Sequence, residues 1–130
     1  TVSARRGERA TAVAKLVKGH VGIFPPPPGS WDLLVNTTPT GTAPQVSDSP
    51  VPAETLRGGR IVYDLVYNPR RTRLLQDAAD AGCHTIGGLD MLVAQAVRQF
   101  EWWCGSRPSS ELFKTAALAA LGAQVEEQGA

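Results

Sequence analysis

Apolar positions recur along this chain with two alternating periods. Ala10, Val13, Ala14 and Val17 fall at the i, i+3, i+4, i+7 spacing that predicts a helix with one buried face, and Gly19 supplies its stop. Ahead of it, Thr1-Val2-Ser3 reads as the tail of a strand. Leu33-Leu34-Val35 is a short continuous apolar run, the pattern of a strand covered on both faces, and it ends in the polar turn Asn36 to Gly41. Ile61 to Tyr67 is rich in β-branched and aromatic residues and predicts a second strand, stopped at Asn68-Pro69. Leu74, Leu75, Ala78 and Ala79 return to helical spacing until Gly82. A short strand at His84 to Ile86 then leads through Gly87-Gly88 into a helix that buries Leu89, Leu92, Val93, Ala96 and Phe100, with Met91 and Gln95 on an adjacent stripe. Pro108-Ser109 opens a last helix whose inner face is expected to be Leu112, Phe113, Ala116, Ala117 and Ala120, ending at Gly122. Trp102 and Trp103 are expected to pack between these last two helices, and residues 124–130 to fray.

The connections complete the outline. Pro25-Pro26-Pro27-Pro28-Gly29 can be neither helix nor inner strand, because proline has no amide proton to give, so it is a surface linker. Gly41 to Gly59 reads as a long loop with one helical turn at Ala53 to Leu56. Strands alternating with helices imply an α/β fold, a parallel Rossmann-like sheet with helices on both faces. A dinucleotide-binding half of that kind opens with a strand and a GxGxxG turn, and the residue that reads the ribose follows ~20 positions later, at the end of the second strand. No GxGxxG occurs here. The expectation is a chain that enters inside the second strand, incomplete at its amino end: residues 1–107 a partial nucleotide-binding domain, 108–123 a helix packing toward a missing substrate domain, and 124–130 a tail.

Composition adds little direction. The chain is 42% hydrophobic and 19% charged with a net charge of +1, so nothing draws it to nucleic acid or a membrane. Its apolar runs are shorter than the ~20 residues of a membrane span, and no basic-then-apolar leader opens it, so the default location is cytoplasmic. Cys83 and Cys104 lack a CxxC spacing and read as buried or incidental thiols. His20 and His84 have no metal-ligand spacing, so no metal site is expected.

Arg5, Arg6 and Arg9 follow the opening strand. A solvated basic helix start accounts for them; so does the 2′-phosphate of NADP, which an arginine fork takes where NAD-binding folds place an acid. Ser3 to Ala10, SARRGERA, resembles the shikimate dehydrogenase segment Asn-Arg-Thr-x-x-Arg-Ala. Asp32 to Gly41, DLLVNTTPTG, is similar to that family's D-x-x-(I/V)-N-A-T-P-x-G; Tyr63 to Thr72, YDLVYNPRRT, to its Y-D-x-x-Y-x-P-x-x-T; and Gly88 to Ala96, GLDMLVAQA, to its G-x-x-M-L-x-x-Q-A.

The resemblance implies an NADP-binding role. It gives Arg5 and Arg9 to the 2′-phosphate, with Arg6 where the family has a threonine that also touches it; Ala4 replaces the usual asparagine and with it one adenosine-side hydrogen bond. It sets Asn36, Thr37 and Thr38 along the ribose and nicotinamide portion, Leu65 and Gly88 where backbone approaches the nicotinamide, and Met91 against that ring. Tyr67 and Gln95 match the residues that reach shikimate or 3-dehydroshikimate. By residue type alone, Tyr67 also serves as a strand-end core filler, Gln95 as a surface amide and Met91 as core packing. The family's proton-transfer pair, a lysine and an aspartate of the substrate domain, has no match among Lys15, Lys18 and Lys114, so no catalytic residue is assigned. The implied protein is the NADP-binding portion of a shikimate dehydrogenase, inactive alone and completed by an amino-terminal substrate domain or a companion chain. A quinate/shikimate dehydrogenase, or a non-catalytic binding module derived from the family, stays open beside it.

Overall fold

The computed structural model describes residues 1–128, with side chains through Gly122. Helix α1 (Gly7–Leu16) is followed by strand β1 (Leu33–Asn36), a 3-10 turn at Ala53–Leu56, β2 (Ile61–Asp64), α2 (Arg73–Asp80), β3 (His84–Ile86), α3 (Gly88–Cys104) and α4 (Ser110–Gln128). The three strands form one sheet in the order β1-β2-β3, all parallel, with Leu33 opposite Ile61 and Ile61 opposite His84. Upstream, Val2 makes a single parallel bridge to Val21, donating to His20 O at 2.7 Å and accepting from Gly22 N at 2.9 Å. The strand tail read at Thr1-Val2-Ser3 is therefore paired backbone.

Two apolar clusters hold the molecule. Val51, Leu56, Val62, Leu74, Leu75, Ala78 and Cys83 gather where α2 and the 3-10 turn pack on the middle strand. Thr72 opens α2 by accepting from Leu75 N, the side-chain cap that a short helix needs for its orphan amides. Leu89, Val93 and Val97 form the second cluster with Leu92, Phe113, Ala117, Leu118 and Leu121. Phe100 and Phe113 meet edge to face with centroids 5.8 Å apart.

Several expected faces differ. Ala10 and Ala14 are buried on α1, but Val13 and Val17 are exposed, because no element among the described residues covers that side. Leu33 and Val35 are exposed, so β1 is not covered on both faces: it is an edge strand with one open side. The second strand ends at Asp64 rather than Tyr67, since the Asp64 carboxylate accepts from Val66 N at 3.1 Å and turns the chain out of the ladder. On α3 the buried set includes Val97, and Phe100 sits at the rim. On α4 the inward residues are Phe113, Ala117, Leu118 and Leu121, while Leu112 points to solvent, because the Phe100–Phe113 contact sets the rotation of the helix. Trp102 and Trp103 are 82% and 72% exposed and do not pack between α3 and α4. Helix α4 runs through Gly122 to Gln128, and the last two residues of the expected tail lie outside the described residues.

The two thiols separate clearly. Cys83 is buried, with its Sγ 3.3 Å from Leu56 O, and desolvation pushes its pKa up; Cys104 is exposed. A thiol held protonated is a poor nucleophile. In native buffer, iodoacetamide is expected to label Cys104 and spare Cys83 until denaturant is added, a pattern that peptide mass mapping reads directly.

Candidate functional site

In an open parallel sheet, ligands collect beyond the carboxyl ends of the strands, where loops fan outward. Here β1 and β2 both end at residues that organise those loops. Asn36, at the end of β1, is buried; its Nδ2 donates to Asp64 Oδ1 at 2.9 Å, and its Oδ1 accepts from Thr38 N at 3.0 Å and Thr38 Oγ1 at 2.7 Å. Asp64, at the end of β2, is fully buried and also accepts from Val66 N at 3.1 Å and Thr72 Oγ1 at 2.6 Å. One carboxylate thus ties the loop after β1, the loop after β2 and the start of α2.

This network holds the loops in place. Asn36 shapes the Thr37–Thr38 turn through both ends of its amide, and it lines a second cleft together with Thr37 and Thr38. Thr37, Thr38, Leu65 and Tyr67 line one cleft of about 500 Å³ with Pro39, Thr42, Val66 and Asn68. Four of the residues singled out by sequence therefore meet, two from each strand end. Tyr67 is 41% exposed and follows the point where the chain leaves the ladder, so it fills no core.

Gly88 joins this group from α3. A Cβ on Gly88 would lie 2.6 Å from the Leu65 carbonyl carbon and from Val66 O, so only glycine lets the start of α3 close onto the β2 loop. Met91 is half-buried and Gln95 exposed further along α3, and neither is among the residues lining the Tyr67 cleft. Arg5, Arg6 and Arg9 surround the start of α1: Arg6 is its N-cap residue, no side chain caps the helix, and all three guanidiniums are exposed with no ion pair among the described residues. These three cations share the first turn of α1 with the carboxylate of Glu8, and an anion bound there would meet both the surplus positive charge and the free amides. Asp64 and Thr72 had no role in the sequence reading although both stand in the YDLVYNPRRT segment; a carboxylate inside an apolar run was the available signal.

Among the described residues no cluster of three or more His, Cys, Asp or Glu is arranged to hold a metal, and no helix is long and apolar enough to cross a membrane. A parallel sheet with its polar loops gathered at the strand ends defines the class: an α/β domain of Rossmann-like type. Residues 88–118 match the family described as shikimate 5′-dehydrogenase C-terminal domain. The NADP(+) shikimate dehydrogenase of Methanosarcina mazei is 46% identical over 92 residues, covering 71% of this chain and 33% of that protein. The Thermus thermophilus shikimate 5-dehydrogenase, solved with NADP(H) and shikimate, superposes with a TM-score of 0.80 at 33% identity, over 91% of this chain and 44% of that one. Quinate dehydrogenase of Corynebacterium glutamicum, solved with NAD, gives 0.79 at 25% identity, over 90% and 45%. The chain belongs to the shikimate dehydrogenase family and corresponds to its carboxy-terminal part, spanning about a third of the length of the curated relatives it matches.

Proposed function

We propose that this chain is the cofactor-binding portion of an enzyme that interconverts shikimate and 3-dehydroshikimate with NADP(H). The observation that carries the reading is the trio Arg5, Arg6 and Arg9, exposed and without carboxylate partners at the uncapped start of α1. A 2′-hydroxyl gives such a group nothing to neutralise, whereas a 2′-phosphate takes forked, charge-assisted hydrogen bonds. The residues thus fit NADP(H), whose nicotinamide gives or takes the hydride. Thr37, Thr38 and the Leu65–Gly88 backbone contact border the path from the ribose toward that ring, and Met91 packs beside it. Tyr67 offers its hydroxyl to the substrate, and Gln95 its amide. No lysine and aspartate of this chain match the family's proton-transfer pair, so the chain alone is expected to be inactive and to depend on the substrate domain that the longer relatives carry, in the same polypeptide or a companion.

The test uses the complete enzyme. Arg5→Ala is expected to weaken NADP by about one to two orders of magnitude, the worth of one or more charged hydrogen bonds of ~1.5–3 kcal/mol, and to leave NAD kinetics and Tm unchanged. Tyr67→Phe and Gln95→Ala are expected each to cost about 1–3 kcal/mol in kcat/KM for shikimate while sparing NADP binding and Tm. Equal kinetics with both cofactors in the parent enzyme contradict the phosphate reading. Variants of Tyr67 and Gln95 that lose stability rather than turnover return both residues to structural roles, and turnover of quinate alone identifies the quinate enzyme.

A further inference from the structure

The cleft that holds Tyr67 has two walls, and one carboxylate oxygen is common to both. Asp64 Oδ1 accepts from Asn36 Nδ2 at 2.9 Å and from Val66 N at 3.1 Å. Through Asn36 it reaches the Thr37–Thr38 wall, and through Val66 the wall that carries Leu65 and Tyr67. The two walls are not held alike. The Thr38 turn has ties of its own, since Asn36 Nδ2 also donates to Thr40 O at 3.5 Å and Thr40 N to Thr38 Oγ1 at 3.3 Å. On the other wall, Leu65 N donates to Asn36 O and Asn68 O accepts from Ala43 N, both at 3.1 Å, so the backbone is pinned on either side of Tyr67. Between those pins, the bond from Val66 N depends on how the Asp64 carboxylate is turned.

Rotation of a carboxylate about its Cβ–Cγ bond is soft. Here Oδ2 stops it by accepting the hydroxyl proton of Thr72 at 2.6 Å, a short charge-assisted bond. Thr72 is fully buried and fixed in turn, because the same Oγ1 accepts from Leu75 N at 3.3 Å at the start of α2. A hydroxyl has one proton to give, and the bond to Asp64 uses it. We infer that Thr72 is a positioning residue of the Tyr67 cleft: its hydroxyl locks the Asp64 carboxylate, which holds Val66 N and thereby sets where the Tyr67 hydroxyl meets the substrate. The inference rests on the reading of Tyr67 as a substrate contact and adds to it a residue that lies outside the lining of the cleft and acts through another.

The test is a double-mutant cycle in the complete enzyme. Thr72→Val keeps the shape and removes the hydroxyl, and it is expected to lower kcat/KM for shikimate by about tenfold or more, as a small misplacement of a contact group does. KM for NADP is expected to stay within about twofold, because the phosphate end of that cofactor is assigned to Arg5, Arg6 and Arg9 on another element. Thr72→Ser keeps both the donor and the cap, and is expected to hold kcat/KM within about twofold of the parent. In a Tyr67→Phe background the further loss from Thr72→Val is expected to shrink to about twofold or less, since the group it positions is gone. Thr72→Val also weakens the α2 cap and lowers Tm by a few degrees. Ala78→Gly, on the buried face of α2, lowers Tm in the same way and is expected to leave kcat/KM unchanged well below melting. If the valine variant does not accumulate, Thr72→Ala removes the same hydroxyl and is read identically. Parental kcat/KM in Thr72→Val, an equal loss in Thr72→Ser or Ala78→Gly, or a loss undiminished beside Tyr67→Phe overturns the proposal. Failure of the substrate reading shows a different pattern: Tyr67→Phe alone then has parental kinetics, and both readings fall together.

Discussion

Asp64→Ala is expected to destabilise the chain severely, by several kcal/mol. The carboxylate is fully buried and takes hydrogen bonds from Asn36 Nδ2, Val66 N and Thr72 Oγ1. Alanine removes both carboxylate oxygens at once and leaves all three donors without that acceptor. Each buried donor left unmatched costs about 1–3 kcal/mol, so the sum over three donors is on the order of 3–9 kcal/mol against a typical domain stability of ~5–15 kcal/mol. Asn36 and Thr72 also hold the Thr38 turn and the α2 cap, so the loss spreads to both loops. Asp64→Asn keeps an oxygen for Val66 and an amide that the Thr72 hydroxyl can accept, and is expected to cost far less. Urea titration followed by circular dichroism separates the two variants. An Asp64→Ala chain with parental stability would show that water already satisfies these donors.

Gly88→Ala is the second large effect, and its interest lies in the contrast with its neighbour. At Gly88 an added Cβ meets the carbonyl carbon of Leu65 at 2.6 Å and Val66 O at the same distance, both backbone atoms that cannot swing aside. Either α3 lifts from the β2 loop or the loop distorts, and overpacking of this kind costs roughly 3 kcal/mol. At Gly87 the nearest atoms would be Arg70 O at 3.6 Å and Leu75 Cδ1 at 3.8 Å, ordinary contacts, and the residue has a φ of −92° that alanine adopts freely. Gly87→Ala is therefore expected to change stability by less than about 1 kcal/mol. Thermal melts of the two variants side by side check the pair. In the complete enzyme Gly88→Ala should also impair cofactor use, because it displaces Leu65 and with it the edge of the Tyr67 cleft.

Asp64 and Gly88 illustrate two kinds of legibility. Gly88 was marked by its segment, and the structure adds the reason: the close approach of α3 to Leu65 and Val66. Asp64 stood in the segment next to the residues singled out, yet a one-dimensional reading of Ile61 to Tyr67 as continuous strand treats it as one more position in the run. Its partners lie 28 residues away at Asn36 and 8 away at Thr72, and only folding brings those together. Tyr67, Thr37, Thr38 and Leu65 were each chosen from separate segments, and the fold gathers them around one cleft.

Local sequence determined what local physics controls. Periodicity predicted the strand beginning at Ile61, the short strand His84–Ile86, the 3-10 turn and the helix beginning at Gly88, because side-chain spacing and glycine or proline stops act within a few residues. Which face of each element is covered was decided by the tertiary structure. Val13, Leu33, Val35 and Trp102 are apolar by sequence and exposed in the fold, because burial depends on what packs opposite and no described element does. The rotation of α4 was settled in the same way, by Phe113 against Phe100, and the end of β2 by a carboxylate that reaches its own backbone two residues on. A residue's type sets what it gains from burial; only its distant neighbours decide whether it is buried.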